Sequence, residues 1–336
     1  MTDKPIIVVR TDVMSGNIPM SEEIEELSRV GAEVIEGNCL TEDDIIKVAG
    51  EARVLLVVFS RITRRVMEAL PRCQAIVRYG IGYDTVDVAA ATDNGILVVN
   101  VPDFCFEEVS NHAIALLLAC AKKFIFMDRG VKAGRWEECK AAQAPMGSIW
   151  GQTLGVIGCG NIGRRVARKA RCFDLRVIGA DPFVDKSLTE ECGITLVSLE
   201  ELLRESDYVS VNTFLNADTR HLLGEKEFRQ MKSSAYIINT ARGSVIDEPA
   251  LIKALQEEQI AGAGLDVFEQ EPVDPDNPLL KMDNVIALPH SASFSDASFS
   301  RLARSVGQEA ARVVGGRWPR NVVNSGVKPK IDLVRD

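Results

Sequence analysis

The chain has 336 residues, 46% of them hydrophobic, and a net charge of −9. That length suggests two domains, and the negative balance argues against a nucleic-acid surface. No apolar run reaches the ~18 to 20 residues of a membrane span, and the amino terminus carries no signal-peptide pattern. The eight cysteines form no C-x-x-C pair and do not cluster with the three histidines, so we expect reduced thiols, no metal site and a cytoplasmic protein.

In chain order, short β-branched runs at 6–9, 32–36, 54–59, 75–79 and 96–99 alternate with helical patterns such as SEEIEELSRVG and TRRVMEALPR. This alternation predicts a parallel sheet covered by helices. One long apolar helix is expected over 106–127, then a loop, ECKAAQAPMGSIWGQ. A second series follows, with strands at 154–158, 176–180, 208–212, 235–239, 263–267 and 285–288, and a last helix over 295–314. The expected fold is α/β, with two Rossmann-like or flavodoxin-like parallel-sheet domains and a cleft between them. Residues 1–101 with 291–336 form one domain and 102–290 the other.

The second series opens with LGVIGCGNIGRRVARKA, which holds Gly158, Gly160 and Gly163 as G-x-G-x-x-G between a strand and a helix. Gly158 allows a tight turn, Gly160 close approach to a pyrophosphate, and Gly163 close packing of helix on strand. Asn161 and Ile162 complete the loop, and the helix N-terminus favours phosphate charge. Asp181 follows Gly163 by 18 residues at the end of the next strand. A carboxylate there accepts from a ribose 2′-hydroxyl and repels a 2′-phosphate, which predicts NAD over NADP. Residues 102–290 are therefore the expected NAD-binding domain, and 1–101 with 291–336 the substrate domain.

Three more strand ends carry polar residues: Arg242 in NTARGSVID, Asp266 in GLDVFEQEP, and His290 in LPHSAS. Singly, such an arginine is a surface charge and a histidine after proline a capped loop residue. Together, at the carboxyl ends of strands, they form a constellation. An arginine holds a carboxylate and polarises a carbonyl, a histidine moves a proton, and a carboxylate orients the imidazole. His112 and His221 are read as structural, the first in an apolar helix, the second in a loop.

With VRYGIGYDTVD, LGVIGCGNIGRRVA, NTARGSVIDEPAL, GLDVFEQEP and LPHSAS in hand, the chain resembles the D-isomer-specific 2-hydroxyacid dehydrogenases over nearly its whole length. The resemblance implies hydride transfer between a nicotinamide and C2 of a small 2-hydroxy acid. It makes Arg242 the substrate arginine, Glu271 the partner of the acid/base His290, and Asp266 a neighbour of the nicotinamide. Glu271 is preferred to Glu269 because the family has a Glu-Pro dipeptide there. It further implies that Val109, Thr213, Thr240, Ala241 and Ala292 line the cofactor, and that the backbone of Arg78, Tyr79, Gly80 and Ile81 holds the substrate carboxylate. A homodimer is implied, with no nucleic-acid or membrane partner. Phe59 or Ser60, with Arg61 slightly displaced, stands where phosphoglycerate dehydrogenases carry a phosphate-binding arginine, which weakens 3-phosphoglycerate as substrate and leaves it as an alternative. Similarity to the C-terminal-binding-protein co-repressors keeps an NADH-sensing binding protein as an alternative, and phosphite oxidation a third. The substrate's side chain is not readable from the sequence.

Overall fold

The computed structural model describes residues 6–12 and 21–335. They form two compact units, one up to Phe104 and again from Ser295, the other Cys105–Phe294. The boundaries fall a few residues beyond those expected at 101/102 and 290/291.

The first unit holds β1 (Ile6–Arg10), β2 (Ala32–Glu36), β3 (Ala52–Val57), β4 (Ala75–Arg78) and β5 (Leu97–Val99). They pair in parallel in the order β2-β1-β3-β4-β5. Val8, Val9, Leu55, Leu56, Ile76 and Val77 are fully buried. Their runs are apolar without alternation because helices cover both faces. The helix Asp296–Val314 lies so close to the helix Ser21–Ser28 that a Cβ on Gly307 would stand 2.8 Å from Glu23 Cα. The strand order reverses between β1 and β3, which makes a crevice at their carboxyl ends.

The second unit holds β6 (Thr153–Ile157), β7 (Arg176–Ala180), β8 (Thr195–Leu196), β9 (Tyr208–Val211), β10 (Tyr236–Asn239), β11 (Gly262–Leu265) and β12 (Val285–Ala287). The order is β12-β11-β10-β9-β6-β7-β8, all parallel, and it reverses between β6 and β9.

Three elements differ from expectation. The long helix is two, Phe106–Ala121 and Phe124–Lys132, bent by 62°. Lys123 takes a left-handed φ of 51° at the break, and its Nζ donates to Ala142 O at 3.0 Å. The loop after it contains a short helix, Trp136–Ala141. The two-residue edge strand β8 is too short to register as an apolar run. Among the described residues no single helix is long and apolar enough to cross a membrane, although the bent pair together has that length and composition. Its first limb buries Ala113, Leu116, Leu117 and Cys120 inside this unit.

Candidate active site

The crevice between β6 and β9 is lined by the glycine loop. Gly158 takes φ 83°, and a Cβ there would meet Thr213 N at 2.8 Å. A Cβ on Gly163 would meet Gly158 O at 2.1 Å, so the helix Asn161–Arg171 sits directly against the turn. Gly160 is exposed and has nothing within 4 Å of an added Cβ. That is an open cradle between two sterically fixed glycines, and it fits a pyrophosphate at the helix N-terminus beside Asn161 and Ile162. Asp181, after β7, accepts from Cys159 N at 2.8 Å through Oδ2, and from Phe183 N at 2.9 Å and Val184 N at 3.2 Å through Oδ1. It braces the glycine loop from the neighbouring strand. Phe183 and Phe214 are exposed on this edge. Burial pushes the Cys159 thiol up to about 12, so this cysteine is a neutral packing group.

Two strands away, Asn239 shapes the turn after β10. Its Oδ1 accepts from Ala241 N at 3.0 Å, and its Nδ2 donates to Arg242 O at 2.9 Å. Arg242 Nη1 donates to Ala241 O at 2.8 Å. Thr240 is buried, and its Oγ1 has no hydrogen-bond partner among the described residues. Gly243 presses on the next loop: a Cβ there would lie 1.9 Å from Phe268 C and 2.4 Å from Glu269 N.

That next loop carries the other groups. Asp266 is fully buried at the end of β11. Its Oδ1 accepts from Ser291 N at 2.9 Å, its Oδ2 from Ala292 N at 2.8 Å, and its carbonyl from His290 N at 2.8 Å. These bonds hold His290 in a left-handed conformation, φ 53°, which a non-glycine residue adopts only when its surroundings fix it. His290 Nδ1 lies 2.6 Å from Glu271 Oε2, and Glu271 Oε1 accepts from Phe268 N at 3.0 Å. An ionised carboxylate only accepts, so Nδ1 carries the hydrogen and Nε2 is the ring atom left for chemistry. Glu269 points elsewhere and pairs with His221 Nε2. Val109 and Ala292 are buried in this unit, and Ala241 is half-buried.

In the first unit, Arg78 closes β4 and Tyr79 follows it. Tyr79 N donates to Val57 O at 2.8 Å, so this amide belongs to the sheet and not to a ligand. Its side chain turns inward: the hydroxyl donates to Glu23, and Arg10 stands 5.2 Å over the ring. Burial pushes the Glu23 carboxyl up. Gly80, at φ 123°, and Ile81 use their carbonyls for Val101 N and Asn100 Nδ2. Among the described residues their own N–H groups meet no acceptor.

The profile of the D-isomer specific 2-hydroxyacid dehydrogenase NAD-binding domain matches residues 114–292. A glyoxylate reductase of Korarchaeum cryptofilum is 43% identical over 267 residues, which is 79% of this chain and 80% of the relative. The chain belongs to the D-isomer specific 2-hydroxyacid dehydrogenase family. A D-3-phosphoglycerate dehydrogenase of Methanocaldococcus jannaschii is 38% identical over 91% of the chain, which spans 58% of that longer relative. The D-lactate dehydrogenase of Aquifex aeolicus, solved with NAD and lactic acid, superposes with a TM-score of 0.82 at 28% identity, covering 95% of this chain and 99% of that one. This chain is thus an oxidoreductase of the CH–OH group of hydroxy acids with a nicotinamide-binding domain.

Two positions in the dehydrogenase escaped sequence reasoning. Asn239 is a strand-end asparagine whose turn-forming chemistry is a readable signal. His112 was read as a core residue, yet its Nε2 lies 3.4 Å from Asp266 Oδ1. Burial works against the charge on Asp266. The contact with His112 and the amides of Ser291 and Ala292 outweigh it and hold the carboxyl below its usual range. A depressed folded value means stability present above the unfolded value and lost as pH falls through the folded one. His112→Ala is therefore expected to move acid unfolding to higher pH and to lower turnover about 10-fold by loosening the His290 loop. Acid titration followed by circular dichroism, with kinetics at neutral pH, checks this. An unchanged acid midpoint would remove His112 from the network.

Proposed function

We propose that this dehydrogenase reduces a small 2-oxo acid to the D-2-hydroxy acid with NADH. The observation that carries the reading is the His290–Glu271 pair, 2.6 Å apart, on the same sheet edge as Arg242. The nicotinamide supplies the hydride. Arg242 binds the substrate carboxylate and polarises the 2-oxo group through its planar fork. His290 donates the Nε2 proton to the oxygen as it gains negative charge, and Glu271 holds the ring and stabilises its cationic form. Arg78, Gly80 and Ile81 form the substrate-binding stretch of the first unit, with the amides of Gly80 and Ile81 as donors to the carboxylate and Tyr79 held in the sheet. The first unit is the substrate domain in this reading.

Gly158, Gly160, Asn161, Ile162 and Gly163 bind the pyrophosphate, and Val109, Thr213, Thr240, Ala241, Asp266 and Ala292 line the remaining cofactor. Asp181 selects NAD, because its carboxylate accepts from a 2′-hydroxyl and repels a 2′-phosphate. We further infer a homodimer and a cytoplasmic location. The exposed side chains of Phe124, Trp136 and Trp150, and a groove of about 560 Å³ lined by Phe126, Met146, Tyr208 and Tyr236, support the first. Eight free cysteines, seven of them buried, support the second.

The test is loss of reduced-nicotinamide absorbance against a panel of 2-oxo acids with NADH and NADPH in parallel. Light scattering on the same sample gives the oligomeric state. Turnover of one acid with NADH preferred is the expected result. Tight NADH binding with no turnover of any acid would instead favour an NADH-sensing protein.

A further inference from the structure

His221 takes no part in the chemistry assigned above, yet it touches both segments that carry it. It lies in the loop after β9, in a left-handed conformation with φ 52° that a non-glycine residue adopts only when its surroundings fix it. Its N–H donates to Ser244 O at 2.8 Å, in the turn Gly243–Val245 that follows Arg242. Two residues on, Leu223 N donates to Val245 O at 3.2 Å, and Leu223 O accepts from Asp247 N at 3.0 Å. Backbone bonds thus lace the His221 loop to the Arg242 turn. The ring reaches the other segment. Its Nε2 pairs with Glu269, two positions before Glu271, and its Nδ1 lies 3.9 Å from Asp247 Oδ2. Glu269 N donates to Glu248 Oε2 at 3.0 Å, and Glu248 Oε1 accepts from Asn277 Nδ2 at 2.7 Å, so one carboxylate ties the loop on both sides of Glu271.

A partly exposed histidine–carboxylate pair contributes little to stability by itself, so its place in the fold is what gives it a role. We infer that His221 is a positioning residue: through Glu269 it fixes the loop 268–271 against the Arg242 turn, and so holds the Glu271 carboxylate on His290 Nδ1. The inference rests on the functional reading above, in which Arg242, Glu271 and His290 act together. The path is short and lies within one unit. Glu271 Oε1 accepts from Phe268 N at 3.0 Å, so this carboxylate takes its orientation from the residue next to Glu269. The Gly243 backbone already presses on Phe268 and Glu269. Close packing stops the two segments from approaching further, but it does not stop them from parting. The directional bond from the ring does, because His221 is anchored on the Arg242 side and Glu269 on the Glu271 side.

Asparagine tolerates the left-handed backbone and keeps the N–H bond to Ser244, so His221→Asn removes the ring alone. Glu269→Ala removes its partner, and Glu269→Gln leaves an acceptor for the ring N–H. Melting curves, steady-state kinetics with the 2-oxo acid turned over fastest, and the ring N–H signals of isotope-labelled histidine are measured on the full chain. With three histidines present, the Nδ1–H signal of His290 is assigned by its loss in His290→Ala. We expect kcat to fall about 10-fold in His221→Asn and in Glu269→Ala, with KM for NADH unchanged, and Glu269→Gln to stay within about 3-fold of wild type. The double variant should be no slower than either single one, because both changes open the same clamp. Exchange of the His290 Nδ1–H with water should be faster in each slowed variant. Native kcat in a His221→Asn protein that melts like wild type overturns the inference, and so does a double variant in which the two losses multiply. Where His221→Asn does not fold, Glu269→Ala decides: an unchanged His290 Nδ1–H signal there rejects the clamp. A wild type that reduces no acid in the panel overturns the functional reading instead, and the Nδ1–H exchange still tests the clamp.

Discussion

His290→Ala is expected to lower kcat/KM by about 10³-fold, close to 4 kcal/mol of transition-state stabilisation, while NADH binding stays near wild type. The split follows from where the ring sits. Its Nδ1 is committed to Glu271 at 2.6 Å, and its backbone is fixed through Asp266, so under the function proposed here the lost group is the Nε2 proton donor and not a cofactor contact. Under the function proposed here, in which the arginine binds the carboxylate and polarises the carbonyl, Arg242→Ala should give a loss of similar size that shows in KM as well as kcat. Arg242→Lys should recover little, since a point charge does not reproduce the bidentate fork. Stopped-flow NADH binding and steady-state kinetics on the same preparations separate the two effects. Near-native turnover in either alanine variant would remove that residue from the chemistry.

Gly243→Ala should be the most damaging conservative change in the second unit. The added methyl would stand 1.9 Å from Phe268 C and 2.0 Å from Phe268 O, far inside contact distance, and both atoms are backbone. No side chain is available to swing away, so the turn carrying Arg242 and the loop leading to Glu271 must separate. We expect a loss of about 3 kcal/mol and a melting temperature lower by about 10 °C. A fall of at least about 100-fold in turnover should accompany it, because the segments carrying Arg242 and Glu271, catalytic in the reading proposed here, are both displaced. A melting temperature within about 2 °C of wild type would show that the turn yields more easily than its geometry implies.

Much of this architecture was legible in the sequence because parallel strands buried on both faces are written as continuous apolar runs. The runs at 32–36 and 176–180 coincide with β2 and β7. The helix break at Lys123 was not legible, since it depends on one backbone angle inside a pattern that stays apolar on both sides. The strand-end residues Arg242, Asp266 and His290 stood out by their positions. The pairings were harder. Glu269 and Glu271 are two residues apart; the Glu-Pro dipeptide pointed to Glu271 as the partner of His290, but nothing in the sequence sends Glu269 to His221. Asp12 reads as an ordinary acid after a strand, because the backbone amides of Val58, Phe59 and Ser60, from which its carboxylate accepts, lie more than forty residues further on.

The brace formed by Asp181 bears on how such an enzyme evolves. Under the reading proposed here, this side chain chooses between the two nicotinamide dinucleotides. It is also the acceptor that ties Cys159 N, inside the glycine loop, to the turn at Phe183 and Val184. Selection for NADPH would therefore act on a residue with two duties. A serine or arginine at this position removes the repulsion but leaves three backbone donors short of their acceptor. A change of cofactor along this lineage thus calls for a paired substitution that restores the acceptor. Directed-evolution libraries randomised at position 181 alone should yield variants that accept NADPH but bind both dinucleotides loosely.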